Sequence, residues 1–320
     1  MIDVGIIGAG RLAEVISTLL ARTSQVRVWA RRAEAGRALA EKIPGVTFLE
    51  NIGEVLKPAS LVVFAVPAGA LLECAELYGP SARGDQIVLH ACRGVSDGFV
   101  LPHAAIRSKT CVRKVAVLGG PLHARELHLG RPLAAVVASR FSEAIELVAK
   151  LVRGTNVRIH PTRDLVGVEI AGAISNVGVI AQGLCEGLEL GETSRGVLAL
   201  RGLSEAQHLG RHFGADPATF GGLAGVGDLI PRRTSSADRH LQLGLELAKG
   251  KSVSEALGVA SAGSVEGIAT AFAARELAKT HGLKLPLIEA VAAVLAGRSA
   301  KDVVPTLLTE HLDTLSFTRG

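Results

Sequence analysis

The chain has 320 residues, of which 48% are hydrophobic and 20% charged, and its formal net charge is +5. This balance supports a sizeable buried core and excludes a disordered chain, while the length favours two domains over one. The basic residues are scattered and aromatic residues make up only 3%. Nucleic-acid binding is therefore not expected, and small anionic ligands such as phosphates suit the charge better.

Membrane insertion, secretion and metal binding are also not expected. No apolar run reaches the roughly 18 residues of a membrane span, and no charged-then-apolar leader precedes the first predicted strand. The cysteines lack C-x-x-C spacing and are expected to be structural thiols in a reducing compartment. They are Cys74, Cys92, Cys111 and Cys185. The sequence therefore predicts a cytoplasmic protein.

The N-terminal thirty residues predict a βαβ unit. An apolar run of strand length, Val4–Gly8, is followed at once by a helical segment, Leu12–Leu20, and then by a second strand, Val26–Ala30. The turn after the first strand carries G-x-G-x-x-A, a pattern typical of dinucleotide binding in this context. The alternative interpretation is an ordinary strand–helix turn.

Each small residue of this pattern lies where nucleotide binding needs it. Gly8 permits the tight turn, Gly10 lets a pyrophosphate approach the backbone, and Ala13 allows close packing of helix on strand. The helix N-terminus supplies N–H groups and a positive dipole end. Gly8, Gly10, Arg11 and Leu12 are therefore predicted to bind a cofactor.

Short apolar strands alternate with helical stretches up to about residue 160. This alternation predicts an α/β fold with a doubly wound, Rossmann-type parallel sheet. The clearest predicted strands are Val4–Gly8, Val26–Ala30, Leu61–Val66, Ile87–His90, Val115–Leu118 and Ala134–Ala138. Ligands bind such sheets at the carboxyl ends of the strands. The candidate binding loops are therefore Gly8–Leu12, Arg31–Arg32, Val66–Pro67, Cys92–Gly94 and Gly119–Pro121.

From about Asp164 the pattern changes to long Ala-, Gly- and Leu-rich segments without strand-like runs. The predicted helices are Leu165–Leu184, Gly196–Phe213, Ala237–Lys249, Val265–His281 and Leu287–Leu295. The sequence thus predicts a dinucleotide-binding domain over residues 1–162 and an all-helical substrate domain over residues 163–320. It leaves open whether the helical domain forms a homodimer interface.

Arg31 and Arg32 follow the second predicted strand, where an NAD-preferring fold usually carries an acid for the ribose 2′-hydroxyl. Two guanidinium groups suit a 2′-phosphate, because each offers a planar fork of donors. The sequence therefore predicts NADP as cofactor, with NAD use left open. The alternative is a solvated basic turn.

Further motifs run through both halves of the chain. They are Ala65-Val66-Pro67, Gly120-Pro121, Val168-Glu169-Ile170-Ala171-Gly172-Ala173, Arg201-Gly202-Leu203-Ser204-Glu205, Gly214-Ala215-Asp216-Pro217, Gly225-Val226-Gly227-Asp228-Leu229 and Val265-Glu266-Gly267. With them the chain resembles the NAD(P)-dependent glycerol-3-phosphate dehydrogenases of bacteria over nearly its full length. The resemblance implies a nucleotide-binding domain followed by a helical substrate domain. It also implies hydride transfer between nicotinamide and C2 of glycerol 3-phosphate or dihydroxyacetone phosphate.

The resemblance assigns expected roles to individual residues. Further cofactor contacts are expected at Val66, Pro67, Ala124, Arg239 and Glu266. Contacts with a small anionic substrate are expected at Arg93, Gly120, His123, Arg239 and His240, and Arg201 is another candidate cation. Asn176 and Asp228 would keep catalytic roles, Asn176 by polarising a carbonyl and Asp228 by anchoring a donor.

The departures from the family pattern lie on the substrate side. The family's catalytic lysine, within G-A-L-K-N, is replaced by Ser175. Its Ser-Arg-Asn reads Asp238-Arg239-His240, which puts an acid beside the expected phosphate contact unless Asp238 pairs with Arg232 or Arg233. These changes predict very weak activity toward dihydroxyacetone phosphate, or a different substrate.

Three possibilities follow from the absence of the lysine. Ser175 could relay a proton from a neighbour. His123 or His240, both expected in loops, could act as the acid. The site could instead have lost catalysis and kept nucleotide binding alone. A nucleotide-binding protein without turnover is therefore the alternative function.

Overall fold

A computed structural model of the chain describes residues 2–121, 126–127, 129–232, 238–259 and 264–309. The chain divides into two compact units. The first, here called the sheet unit, comprises Met1–Cys92 and Leu101–Glu169, and the second, the helical unit, comprises Arg93–Val100 and Ile170–Gly320. The chain therefore passes between the units at three places, after residues 92, 100 and 169.

The sheet unit is built on one sheet of eight strands. They are β1 (Ile2–Ile7), β2 (Ser24–Trp29), β3 (Val46–Phe48), β4 (Leu61–Phe64), β5 (Ile87–His90), β6 (Lys114–Gly119), β7 (Leu133–Ser139) and β8 (Val157–Thr162). Their order across the sheet is β3-β2-β1-β4-β5-β6-β7-β8. The chain order reverses between β1 and β4, which is where open α/β sheets bind ligands.

Helices pack on both faces of this sheet. They are α1 (Arg11–Leu20), α2 (Ala33–Lys42), α3 (Ile52–Leu56), α4 (Ala68–Tyr78), α5 (Pro102–Lys109) and α6 (Ser142–Leu151). Strand β4 shows why two cores form, because its successive side chains point to opposite faces. Leu61 and Val63 pack into one core, with α1, α2 and α6, whereas Val62 and Phe64 pack into the other, with α3, α4 and α5.

All six predicted strands are present, with ends shifted by at most two residues. Two further strands, β3 and β8, were not predicted, because β3 has only three residues and β8 is largely exposed along its length. The predicted Rossmann-type parallel sheet is confirmed, and one pair within it departs from the parallel pattern, since β6 and β7 run antiparallel. A run of apolar residues does not encode strand direction, so the sequence could not reveal this pair.

The helical unit contains the remaining helices. Helix α7 (Leu165–Gly187) begins in the sheet unit and continues into the helical unit. The others are α8 (Gly191–His212), α9 (Pro217–Gly221), α10 (Val226–Arg232), α11 (Arg239–Ala248), α12 (Val253–Val259), α13 (Glu266–His281), α14 (Pro286–Leu295) and α15 (Ala300–Thr309). The five predicted helices correspond to α7, α8, α11, α13 and α14, and the predicted start of α11 at Ala237 lies outside the described residues. Helices α9, α10, α12 and α15, of ten residues or fewer, were not predicted.

Helix α7 is long and apolar enough, by length and composition, to cross a membrane. Its sequence is not an uninterrupted apolar run, because it includes Glu169, Ser175 and Asn176. An 18-residue stretch of this helix is 94% buried inside the protein, as in the core helix of a globular domain. It packs closely on α11, where a Cβ atom at Gly183 would lie 2.2 Å from the carbonyl oxygen of Leu241.

All four cysteines are free thiols. Cys74, Cys92 and Cys185 are buried, as expected of structural residues, whereas Cys111 is exposed. Burial raises the pKa of the Cys74 thiol to about 11. A thiol with such a pKa is not a nucleophile at neutral pH.

Candidate functional site

The turn between β1 and α1 has the geometry that the glycine pattern predicted. Gly8 has φ +123°, in the region that favours glycine, and a Cβ atom there would lie 2.4 Å from the carbonyl oxygen of Ala65. Its N–H donates to the carbonyl of Trp29, at 2.8 Å. Glycine is therefore required by both backbone conformation and space.

Gly10 differs from Gly8, because the space beside it is open. It is the N-cap of α1 and makes no side-chain capping hydrogen bond. A Cβ atom at Gly10 would meet no described atom within 4 Å. Arg11 is exposed and Leu12 half-buried at the helix start, while Ala13 is fully buried in the core. The first turn of α1 thus fits a phosphate group, which its N–H groups and dipole would bind.

The neighbouring strand ends supply the other predicted cofactor residues. Arg31 and Arg32 follow β2 and are both exposed, and Val66 and Pro67 follow β4. Since β2, β1 and β4 are adjacent and parallel, these residues share one edge of the sheet with the glycine turn. The Arg31 guanidinium lies 3.5 Å from the Glu73 carboxylate, in an exposed ion pair of small energetic value.

In the helical unit, Arg93 is held against α7. Asn176 Nδ2 donates to the backbone carbonyl of Arg93 at 2.5 Å. The Arg93 guanidinium donates to the Ser175 hydroxyl at 3.3 Å and also contacts the Asp228 carboxylate. Asp228, in α10, is only 1% exposed. These four residues, Arg93, Ser175, Asn176 and Asp228, are here called the Arg93 cluster.

The Arg93 cluster brings a guanidinium group to Ser175, whose own side chain carries no charge. Ser175 Oγ lies 3.1 Å from Asp228 Oδ2 and 3.0 Å from the Gly172 carbonyl, so its single proton has two acceptors. Arg93 is fully charged at neutral pH and does not give up a proton. The sequence identified all four residues separately but not the pairing of Arg93 with Asp228, because the two are 135 positions apart.

His240 lies in a helix and not in the expected loop. It is buried in the first turn of α11, and its Nε2 accepts a hydrogen bond from the N–H of Gly267 at 3.2 Å. Asp238 is the N-cap of α11 and accepts from the backbone N–H groups of His240 and Leu241. Helix capping explains an Asp at this position, since Asp and Ser are both favoured N-caps. A catalytic role for His240 stays a prediction.

The remaining predicted site residues are dispersed over both units. Arg239 and Glu266 are half-buried at the starts of α11 and α13, and Arg201, in α8, is 2% exposed. Gly120 directly follows β6 and has φ +85°. His123, Ala124 and Arg233 lie outside the described residues, as does the side chain of Arg232.

Sequence reasoning missed one polar cluster of the sheet unit. Glu169 is fully buried and contacts both His90 and His103. The available signal was a single carboxylate in an otherwise apolar helix segment, together with a histidine ending an apolar strand. Ionisable groups are seldom buried without partners, so such a residue predicts a partner without naming it.

Comparison with known proteins covers both units. Residues 3–145 match the NAD-dependent glycerol-3-phosphate dehydrogenase N-terminus, and residues 164–305 match the C-terminus of the same family. A glycerol-3-phosphate dehydrogenase [NAD(P)+] of Moorella thermoacetica is 34% identical over 96% of this chain and 95% of its own length. That of Synechococcus elongatus is also 34% identical, over 96% and 94%. The glycerol-3-phosphate dehydrogenase structure from Coxiella burnetii superposes with a TM-score of 0.90 at 26% identity, covering 96% of this chain and 98% of that one.

These matches extend over both halves of the sequence and include the glycine turn as well as the segment that carries Ser175 and Asn176. The fold agrees with them, since a mostly parallel sheet precedes a helical region. The chain is thus a member of the NAD(P)-dependent glycerol-3-phosphate dehydrogenase family, and its N-terminal half is the dinucleotide-binding domain of that family.

Proposed function

We propose that this protein is an NAD(P)-dependent oxidoreductase that interconverts glycerol 3-phosphate and dihydroxyacetone phosphate, or a closely related small hydroxy and keto pair. The observation that carries the proposal is the Arg93 cluster. The Arg93 guanidinium contacts the Ser175 hydroxyl, and the Arg93 carbonyl accepts from the Asn176 amide, on the helix segment where the family resemblance puts a catalytic lysine. The nicotinamide cofactor would supply the hydride acceptor or donor.

The residues of the cluster have different chemical capacities. Reduction of a ketone leaves an alkoxide, which must gain a proton as it forms. Arg93 supplies positive charge to stabilise that oxygen, but it holds its own protons. Ser175 carries the transferable proton of the cluster, and Asn176 Nδ2 is a neutral donor toward a carbonyl. Since a serine hydroxyl is a much weaker acid than a lysine ammonium, slow turnover is expected.

Cofactor binding is proposed for the sheet unit. Gly8, Gly10, Arg11 and Leu12 would hold the diphosphate, and Arg31 with Arg32 would bind the 2′-phosphate of NADP, which makes NADP the preferred cofactor. Supporting this are the open space beside Gly10 and the exposure of both arginines. The remaining proposed contacts are Val66, Pro67, Ala124, Arg239 and Glu266 for the cofactor, and Arg93, Gly120, His123, Arg239 and His240 for the substrate.

The finer organisation of the protein is also proposed. Residues 1–162 would act as the dinucleotide-binding domain and residues 163–320 as the substrate domain. The protein would be cytoplasmic, which its four free cysteines support. A homodimer is proposed on the Ala- and Leu-rich helical half, and light scattering coupled to size-exclusion chromatography measures it directly.

The function is tested by following NADPH absorbance with dihydroxyacetone phosphate and with a panel of small ketones and aldehydes. We expect slow but measurable oxidation of NADPH with dihydroxyacetone phosphate, accompanied by formation of glycerol 3-phosphate. Oxidation of NADPH with another ketone alone would support the oxidoreductase function but refute dihydroxyacetone phosphate as the substrate.

A nucleotide-binding protein without turnover is the second candidate, and the observation that favours it is Ser175 in place of the lysine. In that case calorimetry would show NADPH binding at the glycine turn, while no compound of the panel would be reduced. Loss of that binding in a Gly10→Ala variant would assign it to the sheet unit.

A further inference from the structure

A buried carboxylate in the sheet unit joins three segments that are distant in the sequence. Glu169 lies in α7, His90 ends β5, and His103 is the second residue of α5. Glu169 Oε2 is 2.6 Å from His103 Nδ1, and Glu169 Oε1 is 2.9 Å from His90 Nε2. Oε1 also accepts the backbone N–H of His103 at 2.7 Å. These residues are here called the Glu169 clamp.

The contacts make Glu169 the cap of another helix. Helix α5 begins with Pro102 and has no capping side chain of its own near its N-terminus. The Glu169 carboxylate bonds the N–H of His103 in the first turn instead, where the helix dipole favours negative charge. Burial would raise the pKa of Glu169, but the hydrogen bond with His103 and the adjacent imidazole of His90 outweigh it and hold the pKa below its usual range.

The clamp coincides with the places where the chain changes unit. The chain leaves the sheet unit after residue 92, returns at residue 101, and leaves again after residue 169. His90 lies two residues before the first crossing, His103 two residues after the second, and Glu169 immediately before the third. One carboxylate therefore fixes both ends of the twelve-residue segment 91–102 and the start of the outgoing helix.

The segment and the helix carry the Arg93 cluster. Arg93 is the third residue after His90, and Ser175 is six residues after Glu169, about 9 Å along α7 at 1.5 Å per residue. Within the helical unit the same two pieces meet again, through Asn176 Nδ2 and the Arg93 carbonyl. The register between Arg93 and Ser175 is thus fixed on both sides of the crossings.

We propose that Glu169 is a positioning residue, which, through His90 and His103, holds segment 91–102 and helix α7 in the register that brings the Arg93 guanidinium to Ser175 and Asp228. The kinetic part of this proposal rests on the proposed function, whereas the structural part does not. Removal of the charge loosens the segment and displaces Arg93, while the glycine turn of the sheet unit keeps its geometry.

The test compares Glu169→Gln with Glu205→Gln in the full-length protein. Glu205 is a matched control, because it is also buried and also accepts backbone N–H groups at the start of a helix that begins with proline, at Leu287 and Ile288 of α14. Hydrogen exchange read by mass spectrometry gives the opening of segment 91–102 without any substrate. The fluorescence of Trp29, the single tryptophan of the chain, reports whether the sheet unit is folded.

In Glu169→Gln we expect amides of segment 91–102 to exchange about tenfold faster. We also expect kcat to fall about 10-fold to 100-fold, since small misplacements of catalytic groups have effects of that size. The dissociation constant of NADPH should change less than about twofold, because the glycine turn keeps its geometry, so the loss should appear in kcat. Glu205→Gln should leave the exchange of this segment and kcat within about twofold.

Each outcome bears on one proposal. Faster exchange without a change in kcat would overturn the positioning role, and unchanged exchange would overturn the clamp itself. If the unmodified protein turns over no substrate, the proposed function fails, while exchange still decides the clamp. If Glu169→Gln does not fold, His103→Gln is the second variant, because it removes the imidazole contact with Glu169 but keeps the backbone hydrogen bond. In that variant we expect smaller changes of the same kind in the exchange of segment 91–102 and in kcat. Normal exchange and kcat in that variant would overturn the proposal.

Discussion

The sheet unit has the glycine turn that the sequence predicted, whereas the helical unit has Ser175 where the family resemblance implies a lysine, and Arg93 brings a positive charge to it. Gly8 cannot be replaced without a clash of its Cβ atom with Ala65. Ser175 has no charge of its own, yet the Arg93 guanidinium contacts both its hydroxyl and the Asp228 carboxylate. A site that depends on an unusual backbone conformation requires one residue type at one position. A site that depends on a charge can obtain that charge from any residue that the fold brings close enough.

Removal of the cation is expected to have the largest effect. Arg93→Met takes away the guanidinium that contacts the buried Asp228, and kcat should fall about 10²-fold to 10³-fold, as for loss of one donor to a developing oxyanion. Arg93→Lys keeps the charge and should lose less. The measurement is steady-state turnover of dihydroxyacetone phosphate, with NADPH affinity by calorimetry as control. A variant that retained most of its turnover would show that the charge is not needed.

A lysine at position 175 tests the proton donor that the family resemblance implies. Ser175→Lys should raise turnover of dihydroxyacetone phosphate, by up to the roughly 10²-fold to 10⁴-fold range of acid catalysis. The gain should be smaller with Arg93 in place, because two cations then compete for Asp228. We therefore expect Arg93→Met combined with Ser175→Lys, which leaves one cation beside Asp228, to turn over faster than Ser175→Lys alone. A soluble double variant that binds NADPH and gains nothing would mean that the substrate itself differs.

Substitutions of the two glycines in the β1–α1 turn should affect different properties, cofactor affinity at Gly10 and also stability at Gly8. Gly10→Ala has room for its methyl group and should unfold like the unmodified protein, but bind NADPH about 10-fold to 100-fold more weakly, because the methyl group occupies the approach of the diphosphate. Gly8→Ala should also lose stability, by about 1–3 kcal/mol, from its positive φ. Calorimetry and urea unfolding measure the two effects. Equal stability of both variants would contradict the assigned geometry.

Two buried glutamates, one in each unit, should respond oppositely to pH. Burial raises the pKa of Glu205 to about 8, although two backbone N–H groups and Arg201 act against it. The folded state then binds the proton more tightly than the unfolded chain, so stability should fall as pH rises from about 4.5 to 8, by up to about 1.4 kcal/mol per pH unit. Urea unfolding at several pH values measures this slope.

Substitution of Glu205 by glutamine separates its contribution to the pH dependence of stability from that of Glu169. Glu205→Gln should remove the fall in stability between about pH 4.5 and 8. Glu169 has its pKa lowered by two imidazoles, so its contribution is present above the pKa of the unfolded chain and disappears as pH falls through the folded-state value. A slope that persisted in Glu205→Gln would assign it to another group.

The smallest effect is expected for cofactor choice. Arg31→Ala should narrow the preference for NADPH over NADH, by about tenfold or less, because the side chain is exposed and Arg32 remains. Glu73→Gln frees Arg31 from its ion pair and should raise NADPH affinity by about twofold. Calorimetry with both cofactors measures each change. Equal affinities for NADPH and NADH in the unmodified protein would refute the assignment of Arg31.

Much of this protein could be predicted because its signals are local. The period-2 strands, the helical runs and the glycine turn each occupy one stretch of the chain, where side-chain spacing and backbone freedom act within a few residues. Six strands, six helices including α1, and the conformation of Gly8 followed from such stretches. Short elements such as β3 and α9 escaped, because three to five residues carry too little periodicity.

The α/β order of the chain and the glycine turn could be predicted from the sequence alone, and the sequence places a serine at position 175, where the family resemblance implies a lysine. Other features became visible only in the folded chain: β7 runs antiparallel to β6, His240 accepts the N–H of Gly267, Arg93 contacts Asp228, and Glu169 contacts two histidines. The reason is physical. Local structure depends on neighbours along the chain, whereas the partner of a charge is whichever group the fold brings within a few ångströms, at any separation in sequence.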